Sequence, residues 1–182
     1  LQGEVGGFPA RLQGYVELLD GVLVSRSDLR AELNGARLQL LAEDREHTPA
    51  PAQFELQVDD LGLWPGGVRG SLQLSAELSA GNERLSWRGG AENLAYGAST
   101  AGRVSLEGEY ELDDSAPSQL RVAVEELGWV DWLVNSLHLH VSGDRREQQI
   151  ELRISGDLAE GLTLRGGDAG QCWRGQLLSG SL

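Results

Sequence analysis

Stretches of strand length in which every second residue is aliphatic recur along the whole chain, and no helix-patterned segment lies between them to cover the face they make. SLQLSAEL (71–78), RVSLEGEYEL (103–112), QLRVAVEEL (119–127), SLHLHVSG (136–143), QQIELRIS (148–155) and GLTLRG (161–166) each turn apolar side chains to one side and polar ones to the other. A chain patterned this way builds a long antiparallel sheet with one oily face. Each Leu or Ile left in water on that face forgoes about 1.5–3 kcal/mol. A second sheet, closure into a barrel, or curvature into an open trough can shield it. Aromatics are only 5% of the chain and the inward positions of its second half are mostly Leu, Val and Ile, which favours the unplugged trough. The expected lining is Leu72, Leu74, Leu106, Leu120, Val122, Leu137, Leu139, Ile150, Leu152, Ile154, Leu162 and Leu164. Arg153 and His138 then point outward, and a one-residue slip would reverse every assignment.

About a dozen strands are expected, separated by turn signals. In the N-terminal third the runs are GYVELLDGVLVS (14–25), DLRAELNG (28–35), ARLQLLAED (36–44) and AQFELQVDDL (52–61), with REHTPAP (45–51) as an exposed loop. LGLWPGGVRG (61–70) either separates two units or turns a corner. LSWRGGAENLAYG (85–97) is the least regular stretch, and Gly89 and Gly90 are read as a bulge. The 25 glycines fall mostly between apolar runs, where turns and bends need them. The chain holds no Met and starts in mid-pattern at Leu1, which reads as a fragment of a longer protein. The terminal strands of such a fragment should be unpaired and prone to associate edge to edge.

The formal net charge of −13 argues against nucleic acid and anionic membrane surfaces as partners, so any lipid is held by its tails. A single cysteine, Cys172, excludes an internal disulfide. No run approaches the ~20 apolar residues of a transmembrane helix, and no signal peptide is visible. Enzymatic signals are weak. His138 and His140 have the H-x-H spacing of a β-sheet metal site, yet alternation puts both on the outer face, where solvated histidine is ordinary. Cys172 lacks a Cys/His context, and the glycine motifs lack the strand-to-helix setting of a phosphate site. EDREH and EYELDDS read as solvated turns. Trp64, Trp87, Trp129, Trp132 and Trp173 suit rim packing or contact with lipid headgroups. We therefore expect no catalysis, no metal and no cofactor.

LGLWPGGVRGSLQL (61–74), AENLAYG (91–97) and the closing CWRGQLLSGSL (172–182) resemble the repeat grammar of the TamB family, inner-membrane-anchored subunits of the bacterial translocation and assembly module. The matching residues are Leu63, Trp64, Pro65, Gly70, Ser71 and Leu72 at a corner and its strand, and Trp173, Gly175 and Leu177 in a closing strand. The resemblance is clearest over 52–182. DRREQQIELRISGD (144–157) departs from it, lacking a histidine before its strand. On this resemblance, residues 1–60 are N-terminal strands of the trough and 61–182 a TamB-like repeat continuing it, within a much longer periplasmic protein. It implies an all-β sheet curved into an open trough, similar to bridge-type lipid-transfer proteins. It also implies phospholipid acyl chains as cargo between the inner and outer membranes, and an Omp85-type partner in the outer membrane. Fourteen buried methylenes would contribute roughly 11 kcal/mol, and a continuous groove lets a chain slide without returning to water. A chaperone-like β scaffold that accepts strands of unfolded membrane proteins is the alternative. A closed sandwich repeat is the plainest third reading, and an open or a filled apolar face separates it from the other two.

Overall fold

The structure is a computed structural model that describes residues 1–19, 23–42, 51–79, 84–111, 116–129, 132–144, 147–156, 160–168 and 173–181. Among them run thirteen strands: β1 (Gln2–Val5), β2 (Phe8–Leu19), β3 (Leu23–Leu33), β4 (Ala36–Ala42), β5 (Ala52–Val58), β6 (Arg69–Leu78), β7 (Arg84–Tyr96), β8 (Ser99–Glu111), β9 (Ser118–Trp129), β10 (Trp132–Gly143), β11 (Gln148–Gly156), β12 (Glu160–Asp168) and β13 (Trp173–Ser181). Each pairs antiparallel with its neighbours in sequence, in one open sheet with β1 and β13 at its edges. At about 4.8 Å per strand the sheet is roughly 60 Å long. Short connections make this order cheap, because every strand pairs with the one just before it.

No second layer packs on the sheet among the described residues. The buried side chains are small or modest: Ala36, Ala42, Ala52, Val58, Ala91, Ala101, Val134 and the hydroxyl of Ser27, and no large side chain is fully enclosed. A sandwich or closed barrel would enclose its Leu and Phe; here only residues short enough to hide between taller neighbours escape water. Ala42 and Ala52, paired on β4 and β5, are shielded in this way by Leu40 and Leu78. The closed-sandwich reading is therefore excluded, and the open sheet is that of a curved trough.

Two local expectations are corrected, for 14–25 and for Gly89 and Gly90, and one open alternative, for 61–70, is decided. The run 14–25 is divided between β2 and β3, and strands also form at 2–5 and from Phe8 onward, where none was read. Residues 61–70 turn a corner within one sheet, since β5 and β6 pair from Ala52–Leu78 to Val58–Leu72. That corner is a 3₁₀ turn, Leu61–Leu63, whose Gly62 amide donates to the Asp60 carboxylate. Asn34 holds it by donating to the Leu63 carbonyl, and Trp64 lies 6.4 Å from Phe8, ring to ring. Gly89 and Gly90 are not a bulge: they pair in regular register with Leu74 and Gln73. The irregularity lies a few residues on. Most of the loop 45–51 falls outside the described residues.

That irregularity crosses six strands. Gly70 on β6, Asn93 on β7, Glu126 on β9 and Gly156 on β11 all have positive φ, and regular pairing skips Asn93, Gly102, Glu126 and Asn135. Left-handed backbone is disfavoured by roughly 1–2 kcal/mol for a residue such as Glu126. The apolar pattern resumes one position out of phase beyond this line, on Leu94, Ala101, Leu127 and Val134, with Ala101 and Val134 buried. A crease thus sets off a narrow strip along one long edge of the sheet.

The aliphatic face as candidate functional site

Cross-strand pairing decides which side chains stand together. One row runs Leu12, Ala31, Leu38, Leu56, Leu74, Gly89, Leu106, Val122, Leu139, Leu152 and Leu162, strand by strand from β2 to β12. A second contains Val58, Leu72, Ala91, Val104, Val124, Leu137 and Ile154. A third contains Phe54, Ala76, Trp87, Gly108, Leu120, Val141, Ile150 and Leu164. All twelve residues expected to line the trough fall in these three rows, and each is half-buried. His138 and Arg153 pair with each other in the alternate set, on the opposite face.

The floor is not uniform. On β9 to β12 it is made of branched aliphatics. Around β7 and β8 it contains Gly89 and Gly108, and a Cβ on Gly108 would stand 2.4 Å from Cζ2 of Trp87. The Trp87 ring therefore lies over Gly108. Gly89 is likewise overhung by Leu74 and Leu106, which would stand 3.1 and 3.4 Å from a Cβ there. Trp87, Phe54 and the rows that continue back to Leu12 were not among the expected lining residues. Their even spacing with Leu74 and Leu56 was the signal available.

The opposite face is polar and self-paired. Arg121 meets Glu107 at 3.0 Å, Arg103 meets Glu125 at 3.2 Å, and Arg153 meets Glu151 at 3.3 Å. These pairs are solvent-exposed and stabilise by ~0–1 kcal/mol each. A hollow of about 580 Å³ over β5–β9 is lined largely by this face, with Glu55, Glu77, Arg88 and Arg121 among its residues, as the saddle shape of a twisted sheet produces. His140 departs from expectation: it sits between Arg121 and Glu151, and its Nε2 is shut off from water without a hydrogen-bond partner. It is not a freely solvated histidine. Among the described residues no three His, Cys, Asp or Glu side chains converge on one point. Cys172 lies outside the described residues, and of Trp173 only the backbone is described.

The two long edges differ. At the edge beyond the crease, Tyr96, Trp129 and Trp132 stand in one row with Ser99, 65%, 62% and 49% exposed. Phe8 and Trp64 lie further along it. At the other edge stand the ion pairs Arg84–Glu111 and Arg165–Glu147. Among the described residues no second layer lies on the aliphatic face between these edges.

No described helix is long and apolar enough to cross a membrane. The chain matches the family model described as TamB, N-terminal domain, over residues 1–182, so the match takes in the N-terminal strands as well as the motif-bearing part. No curated protein and no solved structure matches it. The chain therefore belongs to the TamB family, the periplasm-spanning, inner-membrane-anchored and non-enzymatic component that works with an Omp85-type partner in the translocation and assembly module of outer-membrane biogenesis.

Proposed function

We propose that this sheet is a section of a hydrophobic groove that conducts phospholipids between the inner and outer membranes, with the twelve aliphatic residues from Leu72 to Leu164 as its lining. Residues 1–60 and 61–182 then form one continuous stretch of wall within a longer protein. The observation that carries the reading is the row from Leu74 to Leu162, an apolar path crossing seven strands with nothing packed on it among the described residues. Each methylene that settles there leaves water for ~0.8 kcal/mol, and the next position along the row is chemically equivalent. A chain can advance without a deep trap.

Leu139→Asp or Val122→Arg, on paired positions at mid-floor, puts a charge in the path of the tails, where even partial burial costs several kcal/mol. In the full-length protein these variants should lose outer-membrane integrity and acyl photo-crosslinks, whereas Arg153→Gln on the other face should be silent. Well-folded mid-floor variants that still carry lipid would sink the conduit.

A further inference from the structure

The two long edges of the sheet offer unlike surroundings to the polar end of a bound lipid, and on the conduit reading that difference gives the lipid an orientation. We propose that the edge carrying Tyr96, Trp129 and Trp132 holds the glycerol and phosphate region of a phospholipid whose tails lie across the aliphatic rows. Three observations converge on this. The rings occupy one cross-strand row over β7 to β10, within about 15 Å of one another, and stay exposed. Tyr and Trp, with an apolar body and one polar group, suit the boundary between hydrocarbon and headgroup. The crease at Asn93 and Glu126 places these rings on a strip of their own, beyond the regular floor.

The opposite edge holds the ion pairs Arg84–Glu111 and Arg165–Glu147, whose charges are already partnered, and no row of exposed rings among the described residues. The aromatic edge has Asp59 and Asp60 among its described turn residues, the first paired with Arg37 and the second bound to the Gly62 amide. Dimensions also agree: on β9 the floor from Leu120 to Leu127 runs roughly 23 Å, more than the ~15 Å hydrocarbon depth of one membrane leaflet. Tails anchored at the aromatic edge stay on aliphatic residues to their ends.

The full-length protein can be loaded with phosphatidylethanolamine carrying a diazirine either on the headgroup or at the acyl terminus, irradiated, and mapped by peptide mass spectrometry. The headgroup probe should label 94–102 and 127–134 at least several-fold over 84–86, 109–111 and 147–149, while the acyl probe labels the rows around Leu120, Val141 and Ile150. Headgroup label spread equally over both edges, or concentrated at the charged one, with acyl label still on the floor, would overturn the orientation and leave the conduit standing. Absence of acyl label from the floor would overturn both. A Tyr96→Ala, Trp129→Ala, Trp132→Ala variant removes only exposed rings; it should lose headgroup label several-fold at that edge and keep acyl label, and unchanged headgroup label would also refute the proposal.

Discussion

The floor of the sheet is built in two ways. On β9 to β11, Leu, Val and Ile stand opposite one another in every row, and the surface is made by many side chains of similar height. On β7 and β8 the same rows contain Gly89, Ala91, Gly108 and one indole, and the surface is made by Trp87 lying across its neighbour's glycine. Both keep the face apolar and continuous, yet they differ in how much rests on a single residue. Where many equivalent side chains share the task, each can be trimmed at small cost. Where one ring covers a glycine, the pair stands or falls together.

Gly108→Val should show the largest effect, because its Cβ would meet the Trp87 ring at 2.4 Å and the Gln119 carbonyl oxygen at 2.8 Å. Overpacking of this kind costs about 1–3 kcal/mol, read as a lower urea midpoint. Trp87→Leu makes β7 resemble the strands beyond it and should cost less, roughly 1–2 kcal/mol, since the ring is half-buried and not enclosed. Combining the two sharpens the comparison: with the ring gone the new valine keeps only the contact with the Gln119 carbonyl, so the double variant should be more stable than the sum of the singles by about 1 kcal/mol. Strict additivity would mean that the ring does not lie on Gly108. Ile154→Val, in the uniform region, should cost about 0.5–1 kcal/mol. Smallest of all is Arg103→Gln, which removes an exposed pair with Glu125 and should change stability by ~0–1 kcal/mol, vanishing at high salt.

Much of the fold was legible because a period of two is a local property. β6 and β8 to β12 could be read, with their inward and outward faces up to the crease, from alternation alone; β7 could not. The N-terminal third was harder. In VELLDGVLVS apolar residues stand side by side on both flanks of Asp20–Gly21, so the alternation blurs where the chain divides into β2 and β3, and the Asp-Gly turn signal was the clue to weigh more heavily. The crease left a trace too: the apolar phase slips from Val124 to Leu127 and from Ala91 to Leu94. In one strand such a slip is indistinguishable from a stray polar residue. It becomes a structural line only when neighbouring strands slip at the same level.

Alternation, scarce aromatics and acidic charge were enough, from sequence alone, to require an all-β sheet with one oily face and to exclude helices as its cover. Tertiary structure decided that no second layer covers that face among the described residues, that the thirteen described strands follow one another in order, and that Tyr96, Trp129 and Trp132 share one edge. The reason is physical. Which way a side chain points follows from its own strand, but which residues share a row, a crease or an edge depends on the register between strands far apart in sequence, and only pairing supplies it.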